Sequence, residues 1–203
     1  MKFKHALKTT SVLTFGNNII MSLLQRIQSV FFERYLNHLK RQNRNNSKSL
    51  SFDAMQTVGI LFEATNVDER GIVFQYADEL RLRGKKVKLL GFFDNTVDDP
   101  NFTFRYFNRK NLDWALRPTG ENVKEFIEQP FDLLITLNPV SKDYAEYIAA
   151  ISKAHLRVGP ITERTFCYDL MMDTGARRDL RNFIQHMESV LEKTNTRHEK
   201  ATL

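Results

Sequence analysis

The stretch VGILFEATNVDERGIVFQYADELRLRGKKVKLLGFF, residues 58–93, decides the fold. Val58 to Phe62 is an apolar run that breaks at Glu63, the pattern of a strand buried on both faces. Val67 to Arg83 follows as a helix, and Lys86 to Phe93 as a second strand. Working outward, the alternation continues through helix Glu121 to Glu128, strand Phe131 to Leu137, helix Ser141 to Lys153 and strand Leu156 to Gly159. A βαβα rhythm with almost wholly apolar strands predicts a parallel sheet covered by helices on both faces. The fold class is therefore α/β, Rossmann-like. Phe102, Phe104 and Tyr106 alternate with Thr103, Arg105 and Phe107, which predicts a strand nearer an edge with its aromatic row in the core. Tyr168 to Met172 reads as a last strand, and Leu180, Phe183, Ile184, Met187 and Leu191 give a closing helix its apolar stripe.

Upstream the composition changes. The first fifty positions hold nine of the thirty Lys and Arg residues but one of the twenty-four acids, Glu33, a net charge of +8. The other 153 residues carry 21 bases and 23 acids, a net −2. From Ile20, apolar Leu23, Leu24, Ile27, Val30, Phe31, Tyr35 and Leu39 recur at three and four, with Phe32 and Leu36 widening the arc, so an amphipathic helix is expected. The plain reading packs it on the body. The alternatives have Arg26, Arg34, Lys40, Arg41 and Arg44 holding an anionic surface, either phospholipid or RNA. Arg41 to Ser51, RQNRNNSKSLS, has one apolar residue and reads as a solvated linker. The chain thus divides into a basic amphipathic N-terminal helix and linker, residues 1–50, and a single Rossmann-like domain, residues 51–203. A body of that size buries roughly 70% of its unfolded surface and requires no staple.

Cys167 is the single cysteine, which excludes an internal disulfide and fits a reducing compartment. A cytoplasmic protein, peripheral to a membrane if the helix binds lipid, is the expectation. No run of 18 apolar residues offers a membrane span. Lys2, Lys4 and Lys8 resemble the start of a secretory signal, but Ser11, Thr14, Gly16, Asn17 and Asn18 occupy its apolar core. The acid-poor start also has transit-peptide character, and Met21 is a second candidate start.

In parallel α/β sheets ligands bind beyond the carboxyl ends of the strands. There lie Glu63, Thr65 and Asn66 after the first strand, Asp94 after the second, and Asn138 and Lys142 after that ending at Leu137. Asn66 with Glu69 is a helix-capping pattern, as is Asn138 or Ser141 before the next helix. Glu63 and Asp94 are not needed as caps. A small sugar or nucleotide is the ligand this crevice suggests.

Several chemistries lack their residues. No glycine stands between the first strand and its helix before Gly71, so the dinucleotide fingerprint is missing, and there is no P-loop. The five histidines are scattered without metal-ligand spacing. Cys167, between Phe166 and Tyr168, reads as a core residue rather than a nucleophile. Asp98 and Asp99 before Pro100 form a turn, and Trp114 reads as a plug on the sheet. No cofactor and no metal is implied.

FDLLITLNPVSKDYAEYIAAISKAHLRVGP, from Phe131 to Pro160, resembles a strand, helix and strand of the acceptor half of heptosyltransferase-type glycosyltransferases. Those enzymes place Gly-Asp after the first strand, where this chain has Glu63 to Asn66, and the nucleotide-sugar half is missing. More closely, Ile60 to Phe62, Leu90 to Phe92, Phe131 to Ile135, Arg157 to Gly159 and Tyr168 to Met171 resemble a family of uncharacterised bacterial Rossmann-like proteins over residues 57–192. That resemblance implies a fold and no activity. The expectation is a non-catalytic binding or interaction module positioned by its basic helix. Two alternatives stand beside it: a small transferase or hydrolase-like enzyme using Glu63 or Asp94 as base, and an RNA or ribosome-associated protein.

Overall fold

In a computed structural model the described residues are 24–38, 51–98, 101–173 and 179–201, with the backbone alone for 194–201. Residues 24–38 form helix α1. There follow β1 Thr57–Glu63, α2 Val67–Leu82, β2 Lys86–Phe93, β3 Arg105–Asn108, a 3-10 turn Arg109–Asn111, α3 Glu121–Ile127, β4 Leu133–Leu137, α4 Asp143–Ile151, β5 Leu156–Pro160, β6 Leu170–Met172 and α5 Leu180–Ala201.

The six strands make one sheet in the order β3-β2-β1-β4-β5-β6, and every pairing is parallel. The chain builds outward from β1 to one edge, returns to the centre at β4, and builds outward to the other. The carboxyl ends of β1 and β4 are thus the switch point, where loops diverge and leave a crevice. Strand alternation sorts the core. Ile60 and Phe62 of β1 pack with α2 and α5, while Leu61 packs with Leu90 and Leu134 under α1, α3 and α4. Helices cover both faces, so β1 and β4 at the centre of the sheet are buried on both sides, while Lys86 and Lys88 leave the start of β2 open to solvent.

Three expectations change in detail. The aromatic strand begins at Arg105 rather than Phe102, because only Leu90–Phe93 of β2 has a ladder partner on that side. Phe102, Phe104 and Tyr106 still pack on the core as half-buried rings, gathered around Phe93 at 4.7, 6.1 and 5.4 Å. The amphipathic helix does pack on the body, but through Phe32 and Leu36, at 3% and 0% exposure, and not through the longer arc of Leu24, Ile27 and Phe31.

Trp114 is not a plug: it is 57% exposed and meets Phe31 edge-on at 4.9 Å. The reason is local. Asp113 Oδ1 accepts the backbone N–H groups of Ala115 and Arg117, and Leu112 bridges Pro118, so the loop closes on itself with Trp114 at its tip. The linker up to Leu50, with Arg41 and Arg44 in it, lies outside the described residues, as do Lys40, Asp99 and Pro100.

Candidate functional site

A crevice of about 540 Å³ opens at the switch point. Glu63 at the end of β1, Asp94 just after β2, Arg109 after β3, and Lys142 and Tyr144 at the start of α4 line it, and Gln25 and Gln28 of α1 close one side. Each carboxylate has a cation. Asp94 Oδ1 lies 2.5 Å from Arg109 Nε, and Glu63 Oε2 lies 3.4 Å from Lys142 Nζ. The hydrogen bond from Arg109 holds the Asp94 carboxyl below the usual carboxylate range. Burial pushes the Tyr144 phenol well above its ordinary range, so it stays a neutral hydroxyl.

The floor beneath these groups is fixed. Asn138 is buried, and its Oδ1 accepts the Glu63 N–H at 2.8 Å while its Nδ2 donates to the Tyr144 hydroxyl at 3.1 Å. The amide therefore ties β4 to β1 and to α4. The Tyr144 ring lies on Phe92 at 4.2 Å. Thr65 Oγ1 accepts the Asp94 N–H at 2.8 Å and joins the loops after β1 and β2. Asn66 caps α2, accepting from the N–H groups of Asp68 and Glu69.

Of the six crevice residues singled out from the sequence, Glu63, Asp94 and Lys142 meet in one hollow. Thr65 and Asn138 stand behind them as supports, and Asn66 is committed to its cap. The expected cap on α4 is absent: Lys142 occupies the N-cap position with no side-chain bond, and Ser141 bonds the buried Glu146 instead. Of the cations expected on an anionic surface, Arg26 and Arg34 are exposed on α1.

Arg109, Tyr144, Gln25 and Gln28 escaped the sequence reading. Arg109 had a signal, because it directly follows the edge strand β3 as Asp94 directly follows β2. The glutamines had none, since their helix is distant in sequence and its contact face ambiguous. A second hollow of about 550 Å³ beside Lys88 and Phe104 faces the other end of β2, and its Arg81 and Arg105 are paired to Asp78 and Glu125. Among the described residues no group of three or more His, Cys, Asp or Glu side chains is arranged to hold a metal ion, and no helix is long and apolar enough to cross a membrane.

The model of a family of unknown function, DUF6913, matches residues 28–193. The match begins within α1 and ends within α5, so it takes in the buried Phe32 and Leu36 as well as the sheet. No curated protein and no solved structure matches the chain.

Proposed function

Because the chain belongs to the family of unknown function whose model it matches, we propose a role from its own geometry. It is a non-catalytic binding module that takes a small polar ligand, a sugar or nucleotide, in the crevice at the carboxyl ends of β1, β2 and β4. The observation that carries this reading is that two compensated ion pairs, Glu63 with Lys142 and Asp94 with Arg109, face one hollow beside a neutral tyrosine hydroxyl. Carboxylates accept from sugar hydroxyls, Lys142 and Arg109 suit phosphate, and the Tyr144 O–H can donate. Several convergent polar groups in a preformed hollow are what a small-molecule site needs.

Proton transfer has less support. A general base works best with a pKa near the operating pH, and Asp94 is held on the far side of the ordinary range. An enzyme using Glu63 as base is the second reading, favoured by one observation: Glu63 and Asp94 line the same hollow.

The test is a thermal-shift screen of the full chain against nucleotides, nucleotide sugars and sugar phosphates. A ligand at one hundred times its Kd adds about 2.7 kcal/mol, which moves the midpoint several degrees. The expected result is a hit lost in Lys142→Ala and in Asp94→Ala. Silence across the panel overturns the crevice reading, and turnover of a hit that Glu63→Gln abolishes replaces it with the enzyme.

A further inference from the structure

Helix α1 is apolar on two opposite sides. Phe32 and Leu36 are buried against the body, while Leu24, Ile27, Val30 and Phe31 are 52%, 49%, 53% and 46% exposed. Leu24, Ile27 and Phe31 follow one another at three and four, so they form a single outward ridge. That ridge continues onto a second element. Phe31 meets Trp114, and Leu116 nearby is 41% exposed. The loop holding both is rigid: Asp113 receives two backbone N–H groups, Arg117 pairs with Asp113 at 2.7 Å, and the Arg117 guanidinium lies 5.0 Å from the centre of the Tyr35 ring on α1. Leu116 is also kept at φ 61°, a left-handed conformation costly for a leucine. Large apolar side chains presented this way by two elements mark an interaction surface.

Charge identifies the partner. Glu33 is the one acid in the first fifty residues, and it is taken up by an ion pair with Arg164 of the body. Arg26 and Arg34 remain exposed on α1, so the outward side offers apolar groups flanked by cations, its one acid being neutralised by Arg164. A second copy would bring the same excess of positive charge against itself. RNA phosphates would use the arginines but gain nothing from Leu24, Ile27 and Val30. A bilayer with anionic headgroups uses both. We propose that the outer face of α1, with Trp114, docks on an anionic phospholipid surface, its apolar ridge at the acyl boundary and Arg26 and Arg34 at the phosphates.

Trp114 is the sole tryptophan of the chain, so its fluorescence reports docking directly. The full chain is mixed with vesicles of phosphatidylcholine alone or with a quarter phosphatidylglycerol, read by emission and by co-sedimentation. The expected result is a blue shift and sedimentation with the anionic vesicles only. Arg26→Ala with Arg34→Ala weakens binding by roughly thirtyfold, and Leu24→Ser with Ile27→Ser weakens it by a similar factor or more. All four side chains are exposed, so an unchanged melting midpoint in each variant shows that folding is not the cause. Equal binding to neutral vesicles, no binding to anionic ones, or unaltered affinity in the Leu24→Ser, Ile27→Ser variant overturns the proposal. So does a concentration-dependent dimer, or an RNA complex, that the same serine substitutions abolish.

Discussion

Arg164, on the loop between β5 and β6, forms an ion pair with Glu33 of α1. The same guanidinium holds Asp143, at 2.8 Å, and Glu146, both on α4. One cation therefore gathers three carboxylates from two helices, and it lies 5.8 Å from the centre of the Phe32 ring that α1 buries. The attachment of α1 is polar at this point as well as hydrophobic, and the two parts of the junction should differ sharply in strength.

Glu146 is 2% exposed, and without Arg164 it keeps only the hydroxyls of Ser141 and Thr162. Arg164→Met should therefore cost about 3 kcal/mol or more in urea denaturation, the penalty of a buried charge left without its partner. Glu33 is 46% exposed in its side chain, so Glu33→Gln should cost about 1 kcal/mol or less. Equal losses would show that Glu146 is not held as a charge.

Two glycines should respond to alanine with opposite signs. A Cβ at Gly59, in the centre of β1, would stand 2.6 Å from the Phe131 ring, which is itself buried. Gly59→Ala should destabilise by about 1–3 kcal/mol, the usual cost of overpacking. At Gly71, on the exposed side of α2, a Cβ meets nothing within 4 Å. Gly71→Ala should stabilise by roughly 0.5–1 kcal/mol through helix propensity. Thermal unfolding of both variants checks the pair, and a common sign would contradict the packing.

The central strands were legible because burial on both faces leaves so simple a trace. Val58 to Phe62 is apolar whichever way its side chains point, and so is Leu89 to Phe93, while Lys86 and Lys88 are exposed at the start of β2; that strand still has the bounds read from the sequence. The edge was less legible, since Phe102 and Phe104 carry strand-like alternation yet lie beyond the ladder that begins at Arg105. The ambiguity was greatest on α1. Both of its sides are apolar, and periodicity cannot say whether Phe32 or Phe31 meets the core. Asn138 shows the same limit for polar groups. Its place before Pro139 mimics a cap, but the N–H it receives belongs to Glu63, 75 positions earlier.

Asp94 should titrate below the ordinary aspartate value of about 3.9, because Arg109 stabilises its charged form. A carboxyl depressed by folding contributes stability above its unfolded pKa and loses that contribution as the pH falls through the folded one. The pair is exposed, at 59% and 44% of the two side chains, so its effect on overall stability is small. Carboxyl-detected NMR is the suitable readout. Arg109→Ala should raise the Asp94 midpoint toward the ordinary value and leave Asp132, on the other end of the sheet and bonded to Thr57, where it was. An Asp94 midpoint unmoved by that substitution would remove Arg109 from the site.

Cys167 supplies a measurement that joins stability to dynamics. It is fully buried, and burial pushes its thiol up to about 12, against about 8.5 for a free cysteine. Only the thiolate reacts with iodoacetamide, so at pH 8 the folded chain should be modified slowly and the urea-unfolded chain quickly. Labelling must then pass through opening of the layer formed by α1, α4 and the β5–β6 loop. When reclosing is faster than alkylation, the rate follows the population of the open form. Gly59→Ala should accelerate it and Gly71→Ala slow it, by about tenfold for each 1.4 kcal/mol if the opening is global. An Arg164→Met variant that labels faster than its loss of global stability allows would mean that this layer opens by itself, with the junction at Glu33 and Glu146 as its latch. Native labelling at the free-thiol rate would contradict the burial of Cys167 altogether.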